Sequence, residues 1–171
     1  MNIANADLVE GDAENLLFQK ESFDSVVCLK SLVHYPYPEK ALGEFNRVLK
    51  SEGVLIADVD NSRSLRRVIK TGAHLISRWL DKDFQWAGEG IFRLFSERKF
   101  KKMLIGSGFE IEQLFFQGVL VPIGVPLPGG KKFHFINQDF STRLEGLDQV
   151  LEQIPGAQKL ATYILAKCRK S

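Results

Sequence analysis

Short apolar runs alternate with amphipathic segments through the first sixty residues. Ser25–Leu29 (SVVCL) and Val54–Val59 (VLIADV) are apolar and β-branched at successive positions, the pattern of strands buried in a parallel sheet. Asp7–Glu10 reads as a third such strand, stopped by Gly11. Between the other two runs, Pro38 stands where a helix's first turn accepts proline. Ala41, Leu42, Phe45, Val48 and Leu49 then recur at helical spacing until Ser51-Glu52-Gly53 interrupts them. The unit is strand, helix, strand.

The second half is less regular. From Ser64 to Leu80, the residues Leu65, Val68, Ile69, Leu75, Ile76, Trp79 and Leu80 share one helical face, and Arg66, Arg67, Lys70, His74 and Arg78 share the other. A buried apolar stripe under a solvated basic face is expected, rather than a helix lying on a membrane surface. Glu97–Ile105 reads as a helix ended by Gly106-Ser107-Gly108, followed by a strand over Phe109–Leu120. Residues 122–132 read as loop; their paired glycines lack the first glycine and the Ser/Thr of a phosphate-binding loop. A helix over Thr142–Gln153 and a closing strand over Thr162–Lys167 complete the chain.

The 171 residues, 44% of them hydrophobic, suit one domain with a real core. A net charge of +2 of mixed distribution gives no general case for nucleic acid, and no nucleic-acid motif accompanies the arginines near Trp79. Cys28 and Cys168 form neither a disulfide framework nor a metal-ligand spacing. With no signal-like start and no long apolar run, a cytoplasmic setting without a metal is the expectation.

Candidate chemistry is sparse. Asp12 follows a strand end, where a carboxylate either caps the next turn or accepts a hydrogen bond from a nucleoside. His34 falls in the loop after the Ser25–Leu29 strand, where an imidazole can serve as a general base. Asp58 and Asp60 sit two apart at a strand end, although Asp60-Asn61-Ser62 also reads as a turn capping the next helix. Glu44 and Arg47, three apart, read as a surface ion pair. His74 and His134 have no companion ligands.

Gly11-Asp12-Ala13-Glu14, then Ser22-Phe23-Asp24, then Glu44-Phe45-Asn46-Arg47-Val48-Leu49-Lys50 and Gly53, in that order and spacing, resemble class I S-adenosylmethionine-dependent methyltransferases. The likeness is to the type 11 group, which includes quinone-biosynthesis enzymes. It implies an α/β fold: a partial doubly wound, Rossmann-like sheet of the family's third to seventh strands, helices on both faces and a helical cap. Residues 1–171 are then one incomplete methyltransferase domain with variable cap segments near 61–95 and 120–156.

The resemblance also implies roles. Asp12 would accept from the adenine amine of S-adenosylmethionine, with the Ala13 backbone on the ring and Leu29, Lys30 and Ser31 beside the cofactor. His34 would be the base, and Asp24 and Phe23 would be structural. Trp79, Trp86 and Phe92, with Phe84 and Phe95, would cap a small apolar or aromatic methyl acceptor. The family's glycine-rich turn and ribose-binding acid have no counterpart here, so one sheet edge is expected to be bare unless the first strand moves in or another chain or segment supplies the missing N-terminal strands. The other function this pattern allows is a non-catalytic interaction module that has lost the cofactor.

Overall fold

The computed structural model describes residues 6–65, 67, 93–119, 125–126, 132–133, 146–151, 153–154 and 156–171. Strand β1 (Phe23–Cys28), helix α1 (Pro38–Val48) and strand β2 (Leu49–Asp60) form the expected unit, with β1 and β2 parallel. Pro38 does occupy the first turn of α1. The helix stops at Val48, one residue earlier than its periodicity suggests. Leu49 leaves the helix, pairs with Phe23 across the sheet and is fully buried there.

Helix α2 (Glu97–Gly106) leads into strand β3 (Phe109–Gln117). Two short strands, β4 (Val125–Pro126) and β5 (Lys132–Phe133), pair within the stretch that reads as loop. Strand β6 (Tyr163–Lys170) closes the fold. The main sheet runs β1-β2-β6-β3, with β6 antiparallel to both neighbours, so the last strand in the chain lies inside the sheet. Residues 146–151 and 153 are helical, within the expected Thr142–Gln153 span.

One face of this sheet carries the core. Ala41, Leu42 and Phe45 of α1 and Phe100, Met103 and Leu104 of α2 pack on Leu55, Ala57 and Val59 of β2 and Ile164, Ala166 and Cys168 of β6. Strand alternation puts Val27, Ile56, Leu165 and Phe115 on the opposite face, where Val27 is 60% and Phe115 44% exposed. The same face holds an ion cluster: Glu112 pairs with Lys167 at 2.7 Å and with Arg169 at 2.6 Å. The hydrogen bond from Lys167, then that from Arg169, holds the Glu112 carboxyl below the usual carboxylate range. At the turn after α2, Gly108 has φ +80° and its carbonyl accepts from the Asn46 side-chain amide at 2.8 Å. A Cβ there would crowd that amide at 3.1 Å.

Three expectations change. Asp7–Glu10 is not a strand; it has no sheet partner, Leu8 is fully exposed and Val9 is 60% exposed. An extended segment without a neighbour has no interstrand hydrogen bonds to hold it, and this one does not move in beside β1. Phe23 is half-buried rather than core, and meets Phe18 edge-on at 4.9 Å. Phe95 is fully buried in the core, not on a cap. Of the Ser64–Leu80 helix, Ser64, Leu65 and Arg67 are described. The Arg67 N–H donates to Ser64 Oγ at 3.3 Å, so Ser64 rather than the Asp60–Ser62 turn starts it. Leu65 is half-buried and Arg67 exposed, as its two faces require. The remainder of that helix, with His74, Trp79, Phe84, Trp86, Phe92 and His134, lies outside the described residues. Among the described residues no helix is long and apolar enough to cross a membrane.

Candidate active site

Strand β1 ends at Cys28, and Leu29, Lys30 and Ser31 follow at its carboxyl end. Lys30 is held in the left-handed region, φ +56°, a conformation that non-glycine residues adopt at a cost. What holds it is Asp58, 4% exposed on β2. One carboxylate oxygen accepts from the Lys30 backbone N–H at 2.6 Å and the other meets Lys30 Nζ at 3.0 Å. The ammonium also lies over the Tyr163 ring. Asp58 is therefore the buried partner that fixes the loop after β1, rather than half of a carboxylate pair with Asp60.

The loop continues through a short 3₁₀ turn, Leu32–His34, with Leu32 and Val33 buried and His34 exposed. Tyr35 OH sits 3.9 Å from Cys28 Sγ. Burial, then the neighbouring thiol, pushes the phenol up to about 12, and the Asp12 charge adds to this. Cys28 and Cys168 are buried thiols without a disulfide; burial raises Cys28 and pushes Cys168 up to about 12.

Asp12 does cap its own turn: the Glu14 N–H donates to its Oδ1 at 2.9 Å. Its residue is exposed and Ala13 beside it is half-buried against the core. The turn is anchored twice. Glu14 accepts from the Tyr37 N–H at 2.6 Å, which joins it to the loop after β1, and Glu44 of α1 accepts from the Leu16 N–H at 2.8 Å. Arg47 donates to the carbonyls of Phe18 and Leu16, both at 2.9 Å, while bound to Glu44. The pair that reads as surface decoration therefore clamps residues 16–18 onto α1. Replacing Arg47 by alanine is expected to speed amide exchange at Leu16 about tenfold or more while amides in β2 keep their protection, as read by hydrogen exchange.

Leu29, Lys30 and Ser31 accordingly stand at the carboxyl end of β1 with His34 in the same loop, and the turn of Asp12 and Ala13 is tied to that loop through Glu14 and Tyr37; Trp79, Trp86 and Phe92 lie outside the described residues. Sequence reading missed Tyr35 and Tyr163 as participants and Lys30 as the partner of Asp58. Only Asp58 left a signal, as a polar residue inside an otherwise apolar strand. Among the described residues no group of His, Cys, Asp or Glu has metal-holding geometry.

Residues 2–57 match the family model described as methyltransferase domain. A solved S-adenosylmethionine-dependent methyltransferase from Thermotoga maritima superposes with a TM-score of 0.59 at 20% identity, over 95% of this chain and 63% of that one. The chain carries the fold of the class I S-adenosylmethionine-dependent methyltransferases. Curated relatives agree in kind: phthiotriol/phenolphthiotriol dimycocerosates methyltransferase 1 of Mycobacterium ulcerans is 44% identical over 55 residues, 32% of this chain and 20% of that protein. Sterol 24-C-methyltransferase of Candida albicans is 30% identical over 138 residues, 73% of this chain and 33% of that protein. The methyltransferase likeness thus spans a third or less of these two relatives' own length.

Proposed function

We propose that this chain is the cofactor- and acceptor-facing part of an S-adenosylmethionine-dependent methyltransferase acting on a small apolar or aromatic acceptor. The observation that carries this reading is the Asp12 turn packed against the loop after β1, in a sheet of methyltransferase order. Sterol and phthiotriol dimycocerosates, the acceptors in the relatives' names, support an apolar acceptor.

The residues present fit the adenine end of the cofactor. Asp12 keeps one carboxylate oxygen beyond the turn bond to accept from an exocyclic amine, Ala13 offers its backbone, and Leu29, 46% exposed, offers an apolar wall. When bound, the cofactor supplies an electrophilic sulfonium methyl. The chain's part is to orient and to exclude water, which is where such transfer gains most of its rate. His34, exposed at the loop, is the proposed base for an acceptor hydroxyl or amine.

The ribose and methionine ends of the cofactor need contacts beyond those of Asp12, Ala13 and Leu29. We assign these to a further polypeptide segment that pairs with the free edge of β1 and covers the face bearing Val27, Ile56 and Leu165. The solved methyltransferase, of which this chain covers 63%, has the chain length to contain such a segment.

If only the adenine end is gripped, adenosine and S-adenosylmethionine should bind the isolated chain with affinities within about threefold of each other, shifting amide resonances at Ala13, Leu29 and Ser31. Asp12→Ala should abolish both sets of shifts. Shifts confined to other residues would sink this assignment.

A further inference from the structure

We infer that a cleft of about 480 Å³ beyond the carboxyl end of β2 binds the oxyanion of an acidic, partly apolar small molecule. Its floor includes Phe116, and its rim carries Arg63, Arg98 and Lys159 from three separate segments: the turn after β2, the first turn of α2 and the 3₁₀ turn Ala157–Leu160.

None of these three cations has an ion pair among the described residues. Elsewhere Lys30, Arg47, Lys50, Lys167, Arg169 and Lys170 are paired, while Lys40 of α1 lies over the Tyr37 ring. Glu97, the one acid lining the cleft among the described residues, is taken by Lys101. Like charges gathered around one concavity repel each other unless an anion joins them, and an apolar base under them favours an anion with an apolar body.

The arrangement is braced from beneath. Asn61, 2% exposed, donates from Nδ2 to the carbonyls of Lys159 at 2.9 Å and Ala161 at 2.8 Å, while its Oδ1 accepts from the Arg63 N–H at 3.0 Å. One buried amide therefore fixes the backbone of two of the three cationic residues. Ser96, whose Oγ accepts from the Lys99 N–H and so caps α2, lines the same space.

Under the methyltransferase reading this cleft takes the acidic end of the acceptor. The anion site stands without that reading, and binding measured with no cofactor present tests it alone. Phenyl phosphate and inorganic phosphate should each bind the full chain at one site in calorimetric titration, phenyl phosphate about tenfold more tightly because its ring reaches Phe116. Arg98→Glu and Lys159→Glu should each weaken both ligands about tenfold or more, since each loses a charge-assisted contact. Lys102→Glu, the same charge change on the exposed side of α2, should leave both unchanged, with far-UV circular dichroism confirming that each variant is folded. Equal loss in the Lys102 variant, no loss in the other two, or no saturable binding of either phosphate would overturn the proposal. Equal affinity for the two phosphates would remove the apolar-body part and leave a simple oxyanion site.

Discussion

Titrated alone with S-adenosylmethionine, the chain is expected to bind at least about 100-fold more weakly than a methyltransferase that has both the glycine turn and the ribose-binding acid. If a further segment supplies the ribose and methionine contacts, as proposed, the isolated chain forgoes two or more hydrogen bonds, several of them charge-assisted at roughly 1.5–3 kcal/mol each, and about 1.4 kcal/mol is tenfold in affinity. Asp12 is not expected to compensate, because one of its oxygens is already engaged by the Glu14 N–H and the proposed role of the other is at adenine. Calorimetry decides the matter. Micromolar binding at one site per chain, abolished by Asp12→Ala, would show that the free edge of β1 needs no partner. Binding too weak for calorimetry though visible as amide shifts, and made measurable by a fragment that adds strands to β1, is the expected pattern.

Phe100→Ala is expected to be the most destabilising single truncation, costing about 3–5 kcal/mol. Phe100 is fully buried on α2 and belongs to the cluster formed by both described helices and the sheet, so its loss leaves a cavity between layers. Ile105, on the same helix but 63% exposed, provides the comparison; Ile105→Ala should change stability by no more than about 1 kcal/mol. Urea denaturation of both variants reads the difference. A Phe100 variant within about 1 kcal/mol of the wild type would mean that α2 is not seated on the sheet as described.

Local order was legible in the residues themselves. The spacing of Ala41, Leu42 and Phe45 behind Pro38 determined α1, and the Gly106-Ser107-Gly108 stop determined where α2 ends, because helix periodicity and termination depend on neighbours within a turn or two. The same locality explains why β1 and β2 were recognisable from short apolar runs. The order and spacing of motifs around Asp12 likewise pointed to the methyltransferase fold, since that pattern is itself linear.

What depends on distant pairing was decided only in the folded chain. Asp7–Glu10 has strand-like residues, yet a strand exists only where another supplies its hydrogen bonds, and none does. Leu49 follows the helical period of α1 but is taken into β2 by its pairing with Phe23. Lys30 meets Asp58 across 28 residues, and Asn61 meets Ala161 across 100; neither partner is written in local spacing. The site is therefore half legible: the sequence by itself placed Leu29–Ser31 at a strand end, whereas the strand expected before Asp12 does not form, and only the tertiary structure supplied the buried carboxylate that holds Lys30 and the Glu44–Arg47 clamp on Leu16. Side chains joined through the sheet are set by strand order, and strand order is a property of the whole chain.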